Sequence, residues 1–255
     1  MLDDKLLVLM MIVVNGAGLC LLERLPRRRA VAGDGARVHV VPNLALTGLL
    51  LAVNFAFDRM AAFAGVVPTS GALDVLGLPA WATVLLVVVT LDGFAYAAHV
   101  LLHAWPPAWR FHRVHHSDPH VDVSTAFRQH PFETLWRHSF QTAGALLLGA
   151  PTRSVAVYLS LSALNAQLEH AQVAWPPRLE RLARLLFVTP ATHRVHHSRL
   201  QHDTDTNFSN ILSLWDRVFG TFRVPRPGES IVCGLDDFDA PERQRTAALL
   251  ALPFV

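Results

Sequence analysis

The sequence is poor in charge: of 255 residues only 16% are Asp, Glu, Lys or Arg, against about 25% in an ordinary globular chain. Apolar residues make up 52%, and a deficit of charge with a surplus of apolar side chains points to lipid as part of the solvent. The formal net charge of +2 is too small for a nucleic-acid footprint, and no basic stripe interleaved with aromatics occurs, which excludes nucleic acid as a partner. Cysteine is scarce as well. Cys20 in an apolar run and Cys233 in a polar stretch form neither a disulfide framework nor a CxxC metal site, so nothing demands an oxidising compartment.

What the chain has is apolar runs. Residues 6–22 carry no charge and are followed by Arg24, Arg27, Arg28, Arg29 and Arg37. Without the small-residue cleavage site of a secretory signal, the run reads as a retained anchor whose arginine-rich side is cytoplasmic. Residues 43–57 form a second run, a Gly- and Pro-containing turn at 65–79 returns the chain, and residues 81–102 form a third. Two shorter runs, 140–149 and 154–168, suit a tilted pair or a hairpin that dips into the bilayer. The polar stretch 104–138 lies between them. Residues 175–188 alternate arginines with leucines, as does a helix lying on a membrane surface or one packed on protein. The expected fold is an all-α integral membrane bundle of about four transmembrane helices or hairpin equivalents, with a cytoplasmic helical layer. It divides into an N-terminal hairpin (1–78), a catalytic domain (79–225) and a loosely structured C-terminal tail (226–255).

The polar layer holds a repeated hexapeptide. His-Arg-Val-His-His-Ser occurs at 112–117 and again at 193–198. On a helix, positions i, i+3 and i+4 share a face, so each copy aims three imidazoles at one point: His112, His115 and His116, then His193, His196 and His197. His99 and His103 add an i, i+4 pair at the end of an apolar run. An isolated His pair on a helix is usually a core or helix-end pair, but three clusters at ligand spacing predict metal. Asp92, Tyr96, His99 and His103 fall on one helical stripe, so Asp92 is expected to orient a ligand histidine, directly or through Tyr96, or else to hydrogen-bond a neighbouring helix. With His130 and His170 included there are ten imidazoles, which suit two metals with about five nitrogens each. His39, His120, His138 and His202 fall outside the set. The donors alone allow iron, copper or zinc. Oxidising an unactivated C–H bond of a lipid at the membrane boundary needs a redox metal, which favours iron over zinc.

These residues resemble the fatty acid hydroxylase superfamily, also called the sterol desaturase family. Its histidine boxes HxxxH, HxxHH and HxxHH match residues 99–103, 112–116 and 193–197, and the likeness extends to Asp92, Tyr96, 130–133, 165–170, Asn207 and 215–221. The resemblance implies a di-iron centre, O2 as co-substrate and hydroxylation or desaturation of a sterol, fatty acyl, alkylglycerol or carotenoid lipid. It also implies a separate electron-donor protein of ferredoxin or cytochrome b5 type with its reductase, for which Arg110, Arg113, Arg194 and Arg199 are a candidate landing patch. One departure is Ala166, which stands four residues before His170 where some members carry a ligand; His130 is expected to replace it. Two other readings compete, a metal-dependent hydrolase using Glu133 or Glu169 as base and a non-enzymatic metal carrier. Neither explains as much, because no HExxH occurs and the histidines gather at one boundary.

Overall fold

The computed structural model describes residues 2–25, 37–66, 71–226 and 228–255. The described residues are helical, and strand pairing is limited to isolated bridges between Phe187 and Leu212 and between Ser198 and Cys233. In chain order come α1 (Leu2–Glu23), α2 (Val40–Phe63), the short α3 (Ala72–Leu76) and α4 (Ala80–Ala104). They are followed by α5 (Pro106–His116), α6 (Pro131–Leu148) and α7 (Thr152–His170). The remaining helices are α8 (Pro177–Ala183), α9 (Pro190–His196), α10 (Gln201–Thr204), α11 (Leu214–Val218) and α12 (Thr246–Ala251).

α4 is the axis of the bundle and packs on α5, α6 and α7. Val87 and Leu91 of α4, Ala145 and Leu148 of α6 and Tyr158 of α7 form the core between them. The α4–α6 approach depends on Gly144, where a Cβ would lie 2.9 Å from the Leu91 and Phe94 side chains. α6 stops at Gly149, whose φ of 63° is the left-handed cap that glycine adopts without strain, and Pro151 then starts α7. The two short apolar runs are therefore two helices joined by a tight turn, each packed on α4.

Every long helix has one end at the polar layer. Glu23 at the end of α1 accepts the backbone N–H groups of Val123 and Gln172. Asn43 in the first turns of α2 bonds Asp118 and Arg128. α4 and α7 deliver His99, His103 and His170 at their C-terminal ends, and α6 begins beside His130. The fully buried Arg128 fastens this layer, donating at 2.8 Å to Val114 O, Asn43 Oδ1, Ser117 Oγ and Gln244 Oε1.

Two helices, α2 with 24 residues and α4 with 25, are long and apolar enough to cross a membrane. The apolar part of α1, Val8–Glu23, is shorter than that. Fewer helices thus pass by length and composition than the four spans expected. The arginines at 27–29 lie outside the described residues, as do residues 67–70 of the turn before α4. The C-terminal tail is not loose. Leu249 and Leu252 are buried against Leu46 and Val114, and Gln244 donates to Ser117 O at 2.9 Å. The short apolar stretch 247–252 supplies this burial, although Pro, Gly and Asp surround it in the sequence.

Candidate metal centre

The local sequence of each element explains where its imidazoles point. Pro106 and Pro107 start α5 without losing an intrahelical bond, since the first N–H groups of a helix have no partner there. α9 begins with a capping box between Thr189 and Thr192 and with Pro190 at its first position. That start sets the phase that turns His193 and His196 inward, with His197 as the capping residue.

Nine of the ten expected histidines gather into two adjoining groups. His99, His103, His112, His116 and His196 form one, and His115, His170, His193 and His197 the other; within each, the donor atoms lie within 4.8 Å of one another. The groups touch, with the His116 and His197 rings stacked at 4.7 Å. Six of the nine have their outer nitrogen fixed by an acceptor. Nδ1 faces Phe208 O for His99 (2.8 Å), Asp205 Oδ1 for His103 (3.2 Å) and Glu133 Oε1 for His112 (2.8 Å). It faces Arg128 O for His115 (3.3 Å), Ala166 O for His170 (2.7 Å) and Thr206 O for His196 (2.8 Å). A carbonyl or carboxylate only accepts, so the proton sits on Nδ1 and the Nε2 lone pair points inward.

Those lone pairs converge on one another. His99 Nε2 and His116 Nε2 each stand 3.1 Å from His112 Nε2, and His170 Nε2 stands 3.1–3.2 Å from the Nε2 atoms of His115, His193 and His197. His103 Nε2 and His196 Nε2 are buried with no hydrogen-bond partner. Protons do not fill these gaps: burial holds His112, His115, His116, His193, His196 and His197 well below the usual imidazole range and His170 at about 4. Facing lone pairs in a dry pocket repel unless a cation lies between them, so the residues fit metal ions, one per group.

His130 stands apart from both groups. Its Nδ1 accepts the Phe132 N–H at 3.2 Å as the N-cap of α6, and its ring packs on Phe111 and Phe132. Replacement of a missing ligand at Ala166 by His130 is therefore not what the geometry supports: that backbone carbonyl already holds His170, and the second group has four imidazoles. Glu169 Oε1 is the near oxygen there, 3.7 Å from His193 Nε2. Asp92 reaches backbone instead of an imidazole, accepting the Ile211 and Leu212 N–H groups at 3.0 Å. It thereby holds the loop that carries Phe208, whose carbonyl accepts from His99. Tyr96 bonds Thr221 at 3.1 Å, and Thr221 bonds Asp216 at 2.7 Å.

Other side chains take roles the spacing did not assign. Glu133 is pushed up to about 7 by burial, against the pull of Arg137, whose Nε lies 2.8 Å away. The segment 205–208 supplies three of the six outer acceptors, and Asn207 at φ 53° fixes it by bonding Thr192 O and Arg223 O. An Asn before a box-facing loop was the available signal, since Asn tolerates the left-handed region. His39 is buried and bonds Asp122 at 3.1 Å. His138 bonds Asp58 and His202 bonds Asp203. Of the proposed landing patch, Arg113 holds the carbonyls of Leu252 and Val255, and Arg199 pairs with Asp239 at 2.6 Å. Of the four, Arg199 is thus neutralised by a carboxylate, whereas Arg113 bonds only neutral carbonyls.

The sequence model of the fatty acid hydroxylase family matches residues 84–221, more than half of the chain. The chain belongs to that family. An ornithine lipid hydroxylase, OlsE, from Rhizobium tropici is 36% identical over 151 residues, covering 58% of this chain and 44% of the relative. The human alkylglycerol monooxygenase is 32% identical over 142 residues, covering 55% of this chain and 30% of the relative. The alkylglycerol monooxygenase of Danio rerio is 35% identical over 127 residues, covering 50% and 27%. The chain thus spans less than half the length of these curated relatives. No solved structure matches it.

Proposed function

We propose that the protein is a multi-pass membrane oxygenase that uses two iron ions and O2 to hydroxylate or desaturate a lipid. The observation that carries this reading is the pair of adjoining, thiolate-free imidazole groups with their Nε2 lone pairs turned inward. The proposed ligands are His99, His103, His112, His116 and His196 for one ion and His115, His170, His193 and His197 for the other. Iron held there would supply the O2-dependent oxidising chemistry that an unactivated C–H bond requires. The protein's own work is positional. Glu133, Asp205 and four backbone carbonyls fix the tautomers, Asp92 and Tyr96 brace the loop that holds His99, and the buried layer keeps bulk water away.

The family match and relatives named for lipid hydroxylation and monooxygenation support a lipid substrate. Residues 79–225 form the proposed catalytic domain, preceded by an N-terminal hairpin and followed by a C-terminal segment that packs on it. The arginines at 24–37 support a cytoplasmic position for the histidine layer. Electrons are proposed to come from a separate ferredoxin- or cytochrome b5-type donor. Lipid mass spectrometry of cells with and without the gene tests the activity: a lipid that gains one oxygen atom or loses two hydrogens is expected. Cleavage of an ester or amide, with no oxidised lipid, would point to a hydrolase instead.

A further inference from the structure

A groove of about 210 Å³ lies between α1 and α7, away from the ligand side chains themselves. Leu161, Leu164 and Leu168 of α7 make one wall, Asn15 of α1 the opposite one, and Phe187 with Ile211 closes the side. Its two polar lining residues are engaged within the protein, since the Asn15 amide donates to Gln167 Oε1 at 2.9 Å and the Asn165 amide to Asn210 O at 2.7 Å. Nothing there asks for a polar ligand.

The groove has a direction. Leu168 stands two residues before His170 and Leu161 nine, so at 1.5 Å per residue the walls run about 10 Å along α7 and end about 13 Å from the metal layer. Asn165 lies on the floor, donating to Asn210 O at 2.7 Å and to Glu169 Oε2 at 3.1 Å. The other oxygen of Glu169 is the one 3.7 Å from His193 Nε2. One side chain therefore separates the groove from the four-imidazole group. At its outer end Leu161 and Phe187 are 42% and 45% exposed, so the groove opens sideways to whatever surrounds α7.

We propose that this groove seats a single alkyl chain of the lipid substrate, lying parallel to α7 with its reactive segment toward the four-imidazole group. The assignment rests on the oxygenase reading above and narrows it to chain lipids. The leucine row of α7 gives the groove an elongated apolar wall, which suits an extended alkyl chain.

The test is photolabelling of the full-length protein in nanodiscs with a glycerolipid carrying a diazirine in its acyl chain, read by peptide mapping. Labels on the segments around residues 161–168 and 187 are expected. Unlabelled glycerolipid should compete them and cholesterol should not. Leu164→Trp should cut labelling about 10-fold or more, the scale of a steric mismatch in an apolar pocket. Leu161→Trp, nearer the mouth, serves as the second plug should the first unfold. Leu51→Trp, on the exposed face of α2, should change nothing. Equal labelling of Leu51 and Phe55, insensitivity to both plugs, or competition by cholesterol would overturn the proposal. Turnover of the iron-loaded protein, supplied with O2 and a chemically reduced ferredoxin as electron source, separates the two readings. A labelled groove with no lipid oxidised removes the oxygenase and leaves the chain site; oxidation with an unchanged chain-length profile in the plugged variants removes the chain site and leaves the oxygenase.

Discussion

His112 donates its Nδ1 proton to Glu133, and the same carboxylate oxygen takes a second hydrogen bond from Arg137, so one buried acid fixes the tautomer of a proposed ligand on α5 from the first turn of α6. Glu133→Gln keeps the shape and removes the charge. It should weaken metal binding about 10- to 100-fold, the usual effect of losing an outer partner, measured by competition with a chelator; unchanged affinity would remove Glu133 from this role. His130→Ala should keep the full metal content and lose about 1 kcal/mol of stability as a helix cap. Loss of one metal in that variant would restore it as a ligand. The three boxes were legible because i, i+3 and i+4 spacing survives in the one-dimensional sequence. The outer acceptors were not, since four of the six are backbone carbonyls, which any residue supplies. His130 misled because a tally of imidazoles carries no geometry.

Between helices, the segment 205–212 ties the metal layer to α4 and α11. It offers acceptors to His99, His103 and His196, and is itself held by Asp92 through the Ile211 and Leu212 N–H groups and by Asp216 through those of Phe208 and Ser209. Asp92→Ala leaves the buried Ile211 N–H unpaired, at about 1–3 kcal/mol. Denaturation in detergent should show that loss together with reduced metal retention; a variant as stable as wild type would mean the loop holds without α4. Arg128→Leu should cost about 3–5 kcal/mol, because it strands Asp118 in the dry interior, 4.0 Å from where its cation had been. The long helices could be read from apolar runs bounded by Pro and Gly, and α4 follows its run almost to the residue. The C-terminal packing could not be read, because a six-residue helix such as α12 has no periodicity to distinguish it from a loop.

Taken as a whole, the molecule is a bundle whose helix ends converge on a dry, histidine-filled layer, and its stability must depend on pH. Burial holds seven imidazoles outside the spans below their ordinary range, His170 at about 4. Unfolded histidines take up protons near pH 6.5 that the folded protein refuses, so the metal-free fold loses stability as the pH falls from about 7 toward 4. Glu133, Glu169, Glu180 and Asp216, raised by burial, and His39, raised against its burial by Asp122 and Asp118, act in the opposite sense, but they are five against seven. The Tm of metal-free protein should therefore drop on going from pH 7 to pH 5, and a rise would contradict the dry layer. The account as a whole stands on what the two imidazole groups hold. Elemental analysis of protein purified from iron-replete cells measures that directly: two iron atoms per chain are expected, falling together with lipid oxidation on chelation, whereas a single metal per fully active chain would contradict it.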